Sequence, residues 1–130
     1  MQRLRLRREG ARRVVQHEAG EKARRRPEDP SFHAALGLAL ARLRRKPEAI
    51  QEGRSAVVLL PLSKDAYAGG DMVANLARIY ALVGEDDAAI EQLEHLLSVP
   101  SNVSANALRI DPDFTPLRRH PRFRKLVRRG

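Results

Sequence analysis

The fold is decided by residues 36–61, whose sequence is LGLALARLRRKPEAIQEGRSAVVLLP. Apolar residues recur three and four positions apart on both sides of the basic run Arg44-Arg45-Lys46, which is the pattern of two amphipathic helices. Basic residues suit the C-terminal end of the first helix, where the helix dipole is negative, and Pro47 suits the first turn of the second. The stretch therefore predicts a helical hairpin, with helices over about 31–43 and 47–60.

A second stretch, residues 76–100, repeats the spacing of the first. The corresponding pairs are Leu36 and Leu76, Gly37 and Ala77, Leu40 and Tyr80, Ala49 and Ala89, Gly53 and Leu93, and Ala56 and Leu96. A small residue at the second position lets paired helices approach closely, and the large residues around it fill the layer between them. The repeat predicts a second hairpin, with helices over about 71–83 and 86–98 that are separated at Gly84.

These two sets of residues resemble the tetratricopeptide repeat (TPR), a 34-residue helix–turn–helix unit with a large–small–large motif in its first helix and Ala in its second. The units fall at about 30–63 and 70–103, within a two-repeat region at 27–103, and a loop at 62–70 holds Gly69-Gly70 as an expected hinge. Gly53 stands where a large residue is usual. The resemblance implies an all-α fold, a right-handed solenoid of antiparallel helix pairs.

The tail, residues 104–130, resembles the C-terminal end of bacterial multi-repeat TPR regulators. In that group an Asp-Pro-x-Trp-x-Pro-Leu-Arg-x-x-Pro-x-Phe-x-x-Leu segment closes repeats that follow serine/threonine kinase, adenylate cyclase or transcription-regulator domains. Here the segment begins at Asp111-Pro112, and Phe114 replaces the Trp. An open repeat stack must cover its last apolar face, so the tail is expected to be a cap. The apolar residues available for it are Leu108, Ile110, Phe114, Leu117, Phe123, Leu126 and Val127.

The first 26 residues predict a basic helix over about 4–24, interpreted as helix B of a degenerate preceding repeat. Such a helix would bury its apolar stripe on the helix that starts at Ser31. Because repeat stacks usually need about three units, the chain also fits the truncated tail of a larger signalling regulator. The sequence leaves open whether the chain is complete.

The positive charge is concentrated at the two ends of the chain. Residues 1–26 carry ten basic and three acidic residues, and residues 101–130 carry eight and two, whereas residues 64–100 carry two and seven. This asymmetry makes nucleic acid or an acidic partner an alternative to protein binding. The absence of aromatic residues from 1–26 favours solvated helix faces over base stacking there.

Composition excludes several classes of function. The 130 residues contain no Cys, which excludes disulfides and thiolate metal sites and suits a cytoplasmic protein. The four His lack zinc-binding spacing, and no phosphate-binding glycine motif is present. Asp86-Asp87 and Asp111-x-Asp113 are better explained by helix capping and a turn than by metal binding. We expect no catalytic residue, no metal, no cofactor and no membrane-spanning segment.

The TPR resemblance implies a non-catalytic protein–protein interaction or scaffold module that binds a peptide or protein in the groove lined by the first helix of each unit. The groove residues expected to face outward are Ser31, Ala34, Leu38 and Arg42 in the first unit, and Ala74, Asn75, Arg78 and Leu82 in the second. The predicted partner-binding set is Ser31, Leu38, Arg42, Asn75, Arg78 and Leu82. Asn75 and Arg78 lie about one turn apart, so both could engage the backbone or carboxylate of an extended peptide. The expected assembly is a monomer or a weak homodimer.

Overall fold

The structure is a computed structural model that describes residues 28–128. Within this range the chain is all-helical, with no β-strand, as the sequence predicted. No helix among these residues is long and apolar enough to cross a membrane. The basic helix expected at 4–24, and with it the segment 1–26, lies outside the described residues.

Six α-helices and one 3₁₀ helix follow one another along the described chain. They are α1 (Pro30–Arg42), α2 (Lys46–Leu59), α3 (Ala66–Leu82), α4 (Asp86–Leu97), α5 (Ala105–Ile110), the 3₁₀ helix (Pro112–Leu117) and α6 (Pro121–Arg128). The predicted helices at 31–43, 47–60 and 86–98 are confirmed to within one residue at each end. The helix predicted at 71–83 is also present, but it begins five residues earlier, at Ala66.

Helices α1 and α2 form the first hairpin. Ala34 near the start of α1 shares a buried cluster with Ala56 near the end of α2, whereas Leu40 and Ala49 share one at the opposite ends, so the two helices are antiparallel. Gly37 faces both α2 and the later helix over residues 66–82, because a Cβ there would lie 3.1 Å from the Ala49 carbonyl oxygen and 2.7 Å from Cδ1 of Ile79. The small residue in the motif therefore leaves room for the α2 backbone and for the Ile79 side chain.

Helix α3 is the centre of the fold and packs against α1, α2, α4 and the 3₁₀ helix. Its contact with the first hairpin explains Gly53. A Cβ at Gly53 would lie 2.7 Å from Cδ1 of Ile79 and 2.9 Å from Cδ1 of Leu76. Side chains from the second hairpin thus occupy the space next to Gly53, where the TPR motif usually has a large residue.

Gly69 and Gly70 lie inside α3, so the prediction of a loop hinge was wrong. Asp65 caps the helix, its Oδ1 accepting hydrogen bonds from the backbone N–H groups of Tyr67 and Ala68, both at 3.0 Å. The connection predicted at 62–70 therefore ends at Asp65. Both glycines are buried, and a Cβ on Gly69 would lie 2.7 Å from the Pro61 carbonyl oxygen. Gly69 permits close contact with the backbone at Pro61, and Gly70 leaves room for the side chains of Ser101 and Leu96.

The last three elements cover the second hairpin. Phe114, Leu117 and Phe123 are fully or almost fully buried, and they belong to the same apolar cluster as Tyr80 and Leu93 of the hairpin. The rings of Phe114 and Phe123 are 6.3 Å apart between centroids. Ile110 does not join them. It is 68% exposed, contrary to the prediction, because it lies at the outer end of the short helix α5.

Candidate partner-binding surface

The predicted partner-binding residues lie on α1 and α3, and the structure brings part of the set together. Leu38 and Leu82 are half-buried and pack against the same apolar cluster, which contains Leu36, Leu40 and Ile79. Each still presents part of its side chain to solvent. They form the apolar part of a surface that both hairpins share.

Other members of the predicted set lie elsewhere. Ser31 is exposed in the first turn of α1, about 16 Å along the helix from Arg42. Ala34 and Ala74 are each only 2% exposed, so the expectation that they face the groove was wrong. Ala34 packs with Met72, and Ala74 belongs to another buried cluster. Small residues occupy these positions because neighbouring elements come close there.

Arg78 binds a carboxylate, and that carboxylate comes from this chain. Its Nε and Nη2 donate to Oδ2 of Asp111 at 3.0 and 2.9 Å, and its Nη1 donates to Oδ1 of Asn75 at 2.7 Å. The guanidinium carbon also lies 5.7 Å from the centre of the Phe114 ring, within the range of a cation–π contact. Asn75 thus contacts Arg78, and Arg78 holds the start of the cap; the predicted contact of both residues with a peptide stays a prediction.

A second carboxylate of the cap lies between the two hairpins. Oδ2 of Asp113 is 3.5 Å from Nη2 of Arg42 on α1 and 3.9 Å from Nε of Arg78 on α3. The side chain of Arg42 is 55% exposed, whereas those of Arg78 and Asp111 are 27% and 17% exposed. Arg42 is therefore the cation of this group that a partner can reach most easily.

These five side chains are named the arginine–aspartate cluster: Arg42, Asn75, Arg78, Asp111 and Asp113. The predicted set contains Arg42, Asn75 and Arg78. It does not contain Asp111 and Asp113, the carboxylates that bind the two arginines. The capping role assigned to Asp111 was right, because its Oδ1 accepts a hydrogen bond from the backbone N–H of Asp113 at 2.9 Å. Its other oxygen remains available to Arg78. The signal that could have indicated the contact was the presence of two acidic residues, Asp111 and Asp113, in an otherwise basic tail.

The buried part of the described structure is apolar. Among residues 28–128 every buried side chain in the core is apolar, and no buried polar side-chain atom lacks a hydrogen-bond partner. In the same range no three His, Asp or Glu side chains converge to hold a metal ion. The cluster can bind carboxylates or peptide groups at its edge, while Leu38 and Leu82 offer apolar contact beside it.

Comparison of the chain with protein-family models, curated proteins and solved structures finds no match.

Proposed function

We propose that this chain is a TPR-like helical-repeat protein that binds a peptide or protein partner, without catalysis, on the surface formed by α1 and α3. The register shared by the two hairpins supports the repeat assignment, together with the close contact at Gly37, the small residue of the motif. Helix α3 contacts both helices of the first hairpin, as the first helix of a stacked unit does, and the C-terminal elements cover the last hairpin.

The observation that carries the binding proposal is the environment of Arg42 and Arg78. Arg78 holds the carboxylate of Asp111 with two N–H donors, which supports carboxylate recognition by the neighbouring Arg42. Arg42 shares Asp113 at the longer distance of 3.5 Å and remains more than half exposed. A partner segment that pairs an acidic group with an apolar side chain matches Arg42 together with Leu38 and Leu82.

The test is a peptide-array screen followed by affinity measurements with three variants. Arg42→Gln and Leu38→Ala are expected to weaken the selected peptide at least fivefold, because they remove the exposed cation and the apolar contact. Arg44→Gln is the matched control. It removes the same charge from an exposed position two residues away, and its affinity should stay within about twofold of the original.

The proposal is wrong if peptides bind but both surface variants leave their affinities unchanged. A peptide that loses affinity equally with Arg42→Gln and Arg44→Gln would indicate only a general response to positive charge. That result would also contradict the proposed surface. Circular dichroism of each variant confirms that the helices are retained.

A further inference from the structure

The acidic and basic side chains of the cap lie on opposite faces. Its two acidic residues, Asp111 and Asp113, point back to the hairpins, where they contact Arg78 and Arg42. No acidic side chain of residues 101–128 is left to neutralise the opposite side of the cap. The outer side therefore carries positive charge only.

Most of the cations on this side have no acidic partner. The exposed cations of the cap that form no ion pair with any described residue are Arg109, Arg118, Arg119, Arg124, Lys125 and Arg128. Arg122, on the same helix, differs from them. Its guanidinium lies 2.6 Å from Glu94 and 3.7 Å from Asp87, and the hydrogen bond to Glu94 raises the pKa of Arg122 above its ordinary value.

Four of the unpaired arginines line a surface cavity of about 540 Å³, and Arg109 is the one at its floor. Arg118 borders it from the end of the 3₁₀ helix, and Arg124 and Arg128 border it from α6. The floor is fixed, because Phe123 is buried and Arg109 donates a hydrogen bond of 2.5 Å to the Val127 carbonyl oxygen. The cavity is therefore a cationic depression on a packed support.

The arrangement holds like charges close together. Arg124 and Arg128 are four residues apart on one helix, which places their Cβ atoms about 5–6 Å apart and makes the pair mutually repulsive. A polyanion that lies across them removes this repulsion. Guanidinium groups match phosphate oxygens through two parallel hydrogen bonds, so phosphate suits this site well.

We propose that the cavity bordered by Arg118, Arg124 and Arg128 binds the phosphate backbone of a nucleic-acid duplex without reading its sequence. A duplex presents one negative charge for about every 1.7 Å of its axis, a density that suits a surface with several unpaired cations. Both aromatic residues of the cap, Phe114 and Phe123, are buried. The cap thus offers no exposed Phe, Tyr or Trp ring for base stacking, which is the main contact in single-strand binding, and its His120 ring is mostly covered and lies 3.3 Å from Asp87.

The test is fluorescence anisotropy of the full chain with a labelled duplex DNA of mixed sequence, at low and at moderate salt. The chain should bind in the micromolar range at low salt and lose affinity steeply as salt rises. The double variant Arg124→Gln/Arg128→Gln should bind at least tenfold more weakly at low salt. Its plot of log affinity against log salt concentration should be shallower by about two units, since each phosphate contact contributes about one.

The matched control is the double variant Arg122→Gln/Lys64→Gln, which has the same net charge. Arg122 is paired with Glu94, and Lys64 lies in the connection before α3, so this variant should stay within about threefold of the original affinity. Equal losses in the two double variants would overturn the proposal, because net charge alone would then explain binding. Unchanged binding in both would also overturn it, by placing the contact elsewhere in the chain.

Two further outcomes bear on the ligand. Absence of duplex binding at low salt would overturn the proposal. Unlabelled polyglutamate of matched charge can be compared with unlabelled duplex as a competitor for the labelled DNA. Equal competition would overturn the phosphate assignment and leave an acidic polypeptide as the ligand. Neither result depends on Arg42 or Leu38. The proposal of a partner-binding surface on α1 and α3 is therefore tested separately.

Discussion

Arg78 shows how one side chain links two parts of the molecule. It lies on the central helix, yet its strongest contact is with Asp111, 33 residues later, at the start of the 3₁₀ helix. Both groups are mostly shielded from water, so their hydrogen bonds are weakened little by solvent. The pair therefore attaches the start of the cap to the central helix.

We expect the Arg78–Asp111 contact to stabilise the fold by about 1–2 kcal/mol, the usual range for charge-assisted hydrogen bonds that are partly buried. A double-mutant cycle with Arg78→Gln and Asp111→Asn, followed by urea denaturation, measures this coupling. Asn retains an oxygen that can cap the 3₁₀ helix. Additive effects of the two substitutions would show that the contact contributes nothing to stability.

Gly69 is required for a backbone contact rather than for a turn. In Gly69→Ala the new Cβ would meet the Pro61 carbonyl group, whose oxygen lies at 2.7 Å and cannot move alone. We expect a loss of about 1–3 kcal/mol in the free energy of unfolding, typical of overpacking. Gly53→Ala is the control, since its 2.7 Å contact is with the flexible end of Ile79 and part of the cost is offset by better helix propensity. Equal losses would contradict this explanation.

At the scale of elements, the helices of the first hairpin were predictable because their signals are local. The basic run Arg44-Arg45-Lys46 and Pro47 mark one helix boundary, and apolar periodicity marks both faces. The start of α3 was missed because Gly69-Gly70 resembles a loop. Its true start depends on the cap at Asp65 and on the packing of the first turn against Pro61.

The N-terminal cap of α3 gives a prediction for this element. Asp65→Ala removes the acceptor for two backbone N–H groups and should lower the free energy of unfolding by about 0.5–2 kcal/mol. Asp71→Ala is the control, because it removes an exposed acidic residue from the same helix but no cap, and its effect should be within about 0.5 kcal/mol. Chemical denaturation of both variants checks the difference. Similar losses in the free energy of unfolding would show that Asp65 stabilises α3 through its acidic charge near the helix start rather than through capping.

At the scale of the whole molecule, the C-terminal elements complete the core of the second hairpin. Phe114, Leu117 and Phe123 share one cluster with residues of α3 and α4, so the cap completes the larger of the two buried clusters that these helices form. The cap and the hairpin are therefore expected to unfold together.

Phe114→Ala tests this shared core. Removal of a fully buried ring should lower the free energy of unfolding by about 3–5 kcal/mol and should increase hydrogen exchange in α3 and α4 as well as in the cap. Ile110→Ala, at a position that is 68% exposed, should change the free energy of unfolding by less than about 0.5 kcal/mol. Faster exchange in the cap alone would show that the cap unfolds independently.

The candidate site, like the helices, was predictable where its signals are local and not where it depends on tertiary contacts. The spacing of Asn75 and Arg78 along α3 predicted that their side chains are neighbours, since residues three apart on a helix lie on the same face. Spacing could not predict that Asp111 binds the guanidinium of Arg78, because that contact joins residues far apart in the chain. Nor could it show that Ala34 and Ala74 are buried, since the elements that cover them come from elsewhere in the fold.

The sequence by itself determined the all-helical class and most helix boundaries in the described part of the chain, because periodicity, prolines and charged ends act within a few residues. Only the tertiary structure decided which charges are neutralised. It turns Asp111 and Asp113 inward to Arg78 and Arg42 and leaves Arg118, Arg124 and Arg128 unpaired on the outer face. The physical reason is that charge pairing depends on distance in space, and packing of the cap against the second hairpin sets that distance.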